Sequence, residues 1–475
     1  MNNSDTELLT PVLDGGIHST NFFNGRLLTA EDMLREQTAN RLQHRQLGQA
    51  GGDGVAYGLE VSEKKDVAPP GNPSRIISVT AGMAINRLGQ ALCLASDTDV
   101  ALVRAKEVAA QDAGLFRSCE PPAGTDILAG AGIYLLVMAP ASGFEGTAPA
   151  SGIGGGGGGC RKRDAVEGVQ FRLVEVKLEK LPNIGAAARD RVTQLAVDIE
   201  AAPQEKKKNL SKLRNLLAHL CFGTEELAGF VRDPFRREAG RAPLSSYGVV
   251  DAMRSLKSPA LTDCDVPLAL LYWTGSGIQF VDIWSVRRKP VPRSTSLAWP
   301  VLGARRLAEA EAVFLQFQSQ IEEMTAAGTS PLDLARFEAA GWFSYLPAAG
   351  MIPIDTAYAV AYLREAGAKS FKAAAQSSGI APANFFKGVT CRKAAVLEGA
   401  RMGQLLGDSF RYPPMGLDTL GSEMIWLYFV RENIEMLVQS DPPRPYLVFT
   451  NGHLPYLGNA RFDLARFNYS NYGFV

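Results

Sequence analysis

Hydrophobic and polar positions near the start of the chain follow a helical pattern. Thr29 is a good N-cap residue, and the acids Glu31 and Asp32 in the first turn favour the positive end of a helix dipole. The pattern predicts a helix that runs to about Leu47 and ends at the glycines Gly48, Gly51 and Gly52. Its apolar stripe is thin and Arg, Gln, Asn and His are frequent, which favours a wet subunit or domain junction over a core position.

Alternating apolar residues then predict a β-rich unit from Val55 to about Lys180. The segment from Val79 to Leu94 predicts a hairpin whose turn lies at Leu88-Gly89. Further strands are predicted at 55–61, 76–79, 99–103, 133–138 and 169–178.

A glycine run interrupts this unit. Six glycines at 154–159 precede Cys160-Arg161-Lys162-Arg163, and the preceding segment 146–150 has a loop composition. A P-loop would require a lysine followed by Ser or Thr, and a dinucleotide fingerprint would require a strand directly before the glycines. We therefore interpret 151–163 as a flexible surface insertion rather than a phosphate cradle.

The middle of the chain predicts helix followed by hairpin. The segment 184–222 reads as mainly helical, with Leu210, Leu213, Leu217 and Leu220 on one face, Arg214 facing elsewhere and Lys206–Lys208 in solvent. Two apolar strands around a glycine-rich turn predict a hairpin over 264–288. Pro290 and Pro292 then mark a boundary.

The segment 304–326 predicts a long helix with a heptad-like seam. Leu307, Phe314 and Ile321 recur every seven residues, and Phe317 belongs to the companion row, which starts three residues later. Two interpretations stay open, because only about three heptads are present. The helix packs on its own domain, or it associates with copies of itself.

The last part of the chain predicts strands at 425–430 and 446–449, with an apolar, proline-rich turn at 345–354 before them. The tail 451–475 interleaves aromatics with Pro, Gly and Asn, and so many aromatics argue against disorder. We expect an extended tail, lying either on its own fold or on a neighbouring subunit.

Together these elements predict an α+β, multidomain chain. The predicted units are 1–54 (lead and helix), 55–180 (β-rich, with the insertion 151–163), 181–292 (helices and hairpin) and 293–475 (helix-led, with the extended tail).

Charge and composition exclude several classes of function. Lys plus Arg and Asp plus Glu both number 49, so no net field draws the chain to nucleic acid or an anionic membrane. The six cysteines form no CxxC pair and are expected to be reduced, and the four histidines show no zinc-ligand spacing. The polar start predicts no signal peptide, and no apolar run is long enough to insert into a membrane.

The sequence carries no catalytic motif that we recognise. No GxSxG elbow occurs, and Asp265 beside Cys264 would raise the pKa of a thiol rather than activate it. Adjacent acids such as Glu322-Glu323 are explained by solvation on a helix. We therefore predict neither an enzyme nor a cofactor.

The phrase Asn21–Leu34 (NFFNGRLLTAEDML), followed by Gly58-Leu59-Glu60-Val61, resembles the opening of uncharacterised proteins encoded beside baseplate genes of phage-tail-like contractile injection systems. The segment 79–94 is similar to their glycine-centred hairpin, and 264–288, 345–354 and 446–463 also resemble that group. The chain departs from the group at 48–54 and in its polyglycine insertion. The resemblance implies a structural part of a contractile particle and transfers no active-site residue.

We therefore expect a baseplate, fibre or accessory subunit that acts by protein–protein assembly, in a particle that can leave the cell. Its partners would be other particle subunits, with a homo-oligomer left open. A receptor- or glycan-binding adhesin, using exposed aromatics such as Trp342, and a cell-wall hydrolase are the alternatives. Arg26 is expected to form an ion pair or cap a carbonyl. The predicted assembly contacts are Phe22, Phe23, Asn24, Arg26, Leu307, Phe314, Phe317, Ile321, Tyr469, Tyr472 and Phe474.

Overall fold

The structure is a computed structural model of the chain. It describes residues 8–64, 76–102, 132–150, 159–178, 186–225, 227, 261–274, 277–292, 304–326, 331–359, 379–392, 394–418, 420, 424–436 and 443–457.

Groups of helices and groups of strands follow one another along the described chain. The helices are α1 (Ala30–Gly51), α2 (Ala186–Ala201), α3 (Lys206–Phe222), α4 (Ala304–Thr325), α5 (Pro331–Ala335), α6 (Ala339–Trp342), α7 (Pro382–Phe385), α8 (Met402–Ser409) and α9 (Arg431–Glu435). The strands are β1 (Gly54–Gly58), β2 (Val61–Glu63), β3 (Ile76–Val79), β4 (Gly82–Ile85), β5 (Ala91–Leu94), β6 (Thr98–Ala101), β7 (Gly132–Ala150), β8 (Gly159–Glu175), β9 (Val266–Thr274), β10 (Gly277–Asp282), β11 (Tyr345–Leu346), β12 (Ala349–Pro353), β13 (Thr390–Cys391), β14 (Ala395–Leu397), β15 (Met415–Gly416), β16 (Met424–Val430) and β17 (Tyr446–Asn451). The predicted α+β class is confirmed.

A four-stranded antiparallel sheet lies at the centre, in the order β10-β9-β7-β8. Ile133, Leu135 and Val137 of β7 face one core, whereas Tyr134 and Leu136 face another. Helices α2 and α3 cover the first face, and the small N-terminal sheets cover the second. Because both faces are buried, β7 reads as a continuous apolar run rather than an alternating one.

Two three-stranded antiparallel sheets, β1-β4-β5 and β2-β3-β6, form the N-terminal β unit. The predicted hairpin over 79–94 is confirmed as β4 and β5, which turn at Gly89. Val55, Ile77 and Leu92 from these strands are buried against the central sheet. The predicted hairpin over 264–288 is also confirmed, and its strand β9 pairs with β7. The predicted units 55–180 and 181–292 therefore share one sheet.

The expectation of a loop before and after the polyglycine run is wrong. Residues 146–150 continue β7 and residues 159–163 begin β8, and the two strands pair from Ala150↔Gly159 to Tyr134↔Glu175. A loop composition does not exclude a strand whose partner supplies the ladder hydrogen bonds. The rest of the predicted insertion, 151–158, lies outside the described residues.

Arg214 of helix α3 lies off the predicted leucine row and is buried, a burial that the sequence did not indicate. Its Nε lies 2.6 Å from Asp282 Oδ2 in β10, and its Nη1 lies 2.6 Å from Glu323 Oε2 in α4. Asp282 also accepts hydrogen bonds from the Ser285 backbone N–H and from Gln316. The buried pair therefore connects three elements around one carboxylate.

The C-terminal part has its own core around α4. Its sheet has the order β12-β17-β16-β13, with β14 also paired to β16, and the strands predicted at 425–430 and 446–449 are confirmed. The segment 345–354, expected to be a turn, supplies strands β11 and β12.

Cys264 is buried and disulfide-bonded, which corrects the expectation that every cysteine is reduced. Cys93, Cys160, Cys221 and Cys391 are free thiols.

Candidate assembly surface

The N-terminal phrase singled out in the sequence folds as one cap on α1. The Thr29 hydroxyl accepts the Asp32 backbone N–H at 3.2 Å, and Asp32 Oδ2 accepts the Thr29 backbone N–H at 3.1 Å. This reciprocal capping box satisfies two donors that a helix start otherwise leaves without partners. The hydrogen bonds from Thr29, followed by those from Arg26, lower the pKa of Asp32, whereas its partial burial opposes the shift. The predicted N-cap is confirmed.

Arg26 fulfils both of its predicted roles, but within its own chain. Its Nη2 lies 2.5 Å from Asp32 Oδ1, and its Nη1 donates to the Asn21 carbonyl at 2.7 Å. Its guanidinium also lies 5.8 Å from the ring centroid of Phe23. The planar guanidinium thus ties the segment before the helix to the first turn of α1.

Two further contacts fix the arm, which we define as residues 20–29. The Thr20 hydroxyl donates to the Asp32 carbonyl at 2.8 Å, and the Thr20 N–H donates to Glu36 at 3.3 Å. Gly25 turns the chain at φ +89°, a conformation that side-chain-bearing residues rarely adopt. The arm therefore has a defined shape on α1.

This cap has an inverted polarity, with polar groups inside and apolar groups outside. Asp32 and Ala39 are the residues that α1 buries. Phe22 is 55% exposed, Phe23 is 63% exposed and Leu27 is 89% exposed. The outward-facing large apolar side chains of this surface, which we call the arm face, are Phe22, Phe23, Leu27, Leu28, Met33 and Leu34. Clustered exposed apolar residues mark interaction sites more often than isolated ones do.

At the C-terminal end of α1, two glycines allow close contact between the helix backbone and neighbouring segments. A Cβ at Gly48 would lie 2.2 Å from the Gly89 carbonyl oxygen, and a Cβ at Gly52 would lie 1.8 Å from that of Val291. Gln49 also donates to the Leu88 carbonyl at 3.3 Å. Backbone therefore approaches backbone at these points, so α1 is anchored at its C-terminal end and presents its N-terminal end.

The α4 seam divides between core and surface. Phe317 is 1% exposed and lies 5.2 Å from Phe343, centroid to centroid, and Ile321 is 3% exposed in the same cluster. These two predicted assembly contacts are thus internal, as in the interpretation of a helix that packs on its own domain. Phe314 is half-buried beside Phe410, and Leu307 remains 39% exposed.

The remaining predicted contacts have different positions. Asn24 is exposed on the arm. Trp342 is half-buried and stacks on Phe337 with ring centroids 4.8 Å apart. Tyr469, Tyr472 and Phe474 lie outside the described residues.

Sequence reasoning missed Asp32 as the centre of the cap. The available signal was its position three residues after Thr29, which is the spacing of a capping box. The burial of Arg214 carried no comparable local signal.

The described residues contain no group of three or more His, Cys, Asp or Glu side chains that could hold a metal ion. In the same part of the chain, no helix has the length and apolarity needed to cross a bilayer.

Comparison with known proteins gives no relative from which a function could be assigned. No protein-family model matches the sequence, and no curated protein matches it.

Proposed function

We propose that this chain is a structural subunit of a phage-tail-like contractile particle, and that it acts by protein–protein assembly through the arm face. The observation that carries the proposal is the inverted polarity of this surface. Asp32 is buried beneath the arm while Phe22, Phe23 and Leu27 point outward. Exposing these side chains does not stabilise an isolated chain. In a docked subunit, their burial would contribute roughly 25 cal/mol of binding free energy per Å² of apolar surface.

The resemblance to proteins encoded beside baseplate genes supports the choice of particle. The phrase that carries this resemblance, Asn21–Leu34, contains every apolar residue of the arm face. Pre-organisation by the capping box and Arg26 supports docking, because a segment already ordered loses less entropy when it binds.

The test measures whether the tagged chain is incorporated into particles in the cells that produce this chain. We expect F22S/F23S/L27S to abolish co-sedimentation of the tagged chain with particles seen by electron microscopy. Val197→Ser is the matched control, since Val197 is 55% exposed on α2, outside the arm face. Unchanged circular dichroism would establish that each variant is folded.

Normal incorporation of the triple variant would contradict the use of the arm face. A wild-type chain that stays entirely in the slowly sedimenting fraction would contradict the particle assignment itself. Arg26→Ala, which frees the arm without removing an apolar group, should lower incorporation, and an unchanged particle yield would count against the role of the ordered arm.

A further inference from the structure

Strands β7 and β8 extend well beyond the sheet that supports them. Strand β9 pairs with β7 only as far as Met138, whereas β7 and β8 continue to pair out to Ala150↔Gly159. We call the segments 141–150 and 159–168 the ribbon. At about 3.4 Å per residue, its ten-residue strands project roughly 30 Å. Residues 160–168 are all exposed, including Val166 at 41%.

The ribbon has only two strands and no third strand to support it within the described residues. A two-stranded hairpin is at best marginally stable in water, and three or more strands are usually required. Strand β8 is an edge strand of its sheet, and within the described residues no strand pairs with its outer edge. An unpaired edge presents a row of backbone donors and acceptors that another strand can satisfy.

The charges along this edge are separated by sign. Arg161 and Lys162, near the far end, form no ion pair with any residue that the structure describes. Arg163 bonds to its neighbour Asp164 at 2.8 Å and keeps other N–H donors. Glu167, nearer the base, is half-exposed and lies 3.1 Å from Arg41 of α1. The cations at 161–163 thus lie toward the far end of the edge, and the carboxylates Asp164 and Glu167 lie nearer the base.

We propose that the outer edge of β8 pairs antiparallel with the same edge of a second copy of this chain, about a two-fold axis at Ala165. In that register Arg163 of each copy lies opposite Glu167 of the other, and Asp164 lies opposite Val166. Two ion pairs form and no like charges face each other. The two ribbons become one four-stranded sheet, which supplies the support that each ribbon lacks.

A second copy fits this edge better than a polyanion does. Nucleic acid could use the cations and the outward backbone N–H donors, but its phosphates cannot satisfy the backbone carbonyl acceptors, and they would be repelled by Asp164 and Glu167. Charged residues on an edge strand have an alternative role, which is to prevent the edge from pairing with another strand. The two roles predict opposite results, because removing protective charges increases association whereas removing complementary charges decreases it.

The measurement is the mass of the full chain in solution by light scattering coupled to size exclusion, over a concentration series. The wild type should reach a dimer. Arg163→Glu and Glu167→Arg should each raise the dimer dissociation constant at least tenfold, since the two-fold axis turns two attractive pairs into two repulsive ones. The double swap R163E/E167R should restore the dimer, and an equimolar mixture of the two single variants should form a heterodimer.

A cross-link tests the register independently. In a Cys160→Ser background, Ala165→Cys should form an intermolecular disulfide under mild oxidation, because a residue on the axis lies opposite itself within disulfide reach. Thr147→Cys, exposed on the other strand, should not.

A wild-type monomer at every concentration, single reversals that raise the mass, or a double swap that stays dissociated would each overturn the proposal. A dimer abolished by F22S/F23S/L27S but insensitive to the ribbon charges would assign self-association to the arm face and overturn it as well. The inference goes beyond the proposed function and does not depend on it.

Discussion

Burial of His219 in α3 makes the stability of the central core depend on pH. The ring is 3% exposed, its Nδ1 lies 2.8 Å from the Thr224 hydroxyl, and it stacks on Tyr345 with centroids 4.6 Å apart. Burial lowers the pKa of His219 to about 3, against an opposing effect of the Asp282 carboxylate. The folded state therefore holds a neutral imidazole throughout the physiological range.

The sign of the effect follows from proton uptake. Below the pKa of about 6.5 for an unfolded histidine, the unfolded chain binds a proton that the folded chain does not bind. The contribution of His219 is therefore complete above about pH 6.5 and is lost progressively as the pH falls. The loss is about 1.4 kcal/mol per pH unit, which gives about 3 kcal/mol at about pH 4.5 and about 4 kcal/mol near the folded pKa of about 3, where half of the folded chains also bind the proton.

The perturbation is His219→Gln, which removes the titrating group and keeps a polar side chain near Thr224. Urea unfolding followed by circular dichroism, at several values between about pH 7 and about pH 4.5, gives the free energy of unfolding. The wild type should lose about 3 kcal/mol more than the variant over this interval. His18→Gln is the matched control, since His18 is exposed. Parallel pH curves for the wild type and His219→Gln would refute the reasoning, because they would require a ring that titrates normally in the folded state.

Three further substitutions probe the contacts that join the elements, each measured by urea unfolding. Arg214→Met should cost about 3–5 kcal/mol because it leaves the Asp282 carboxylate buried without its cation, and the loss should shrink in R214M/D282N; equal losses would contradict this coupling. Phe317→Ala should cost about 3–5 kcal/mol and Leu307→Ala much less, and similar values would contradict their division between core and surface. Gly52→Ala should cost about 1 kcal/mol or more, because its φ is +94° and a carbonyl oxygen occupies the space of a Cβ; wild-type stability would contradict this.

The elements predicted correctly are those whose signals are local. The start of α1 follows from Thr29 and Asp32, which lie within one turn of each other. The hairpin of β9 and β10 follows from two apolar runs around a short glycine turn, and α4 follows from its heptad-like period. In each case the residues that decide the conformation are neighbours in sequence, so a linear reading finds them.

The errors arose where the deciding partner is distant. The burial of Arg214 was not predicted, because arginine is costly to bury, but Asp282 lies 68 residues further along the chain and offsets that cost. Residues 146–150 have a loop composition, and only the pairing with 159–163 makes them a strand.

For the candidate sites, the sequence by itself determined the Thr29 N-cap of α1, the apolar character of Phe22 and Phe23, and the basic run after the polyglycine segment. Only the tertiary structure decided that these apolar groups face outward and that the basic run lies on the unpaired edge of β8. The physical reason is that capping depends on neighbours within one helical turn, whereas exposure and edge position depend on which distant segments pack alongside.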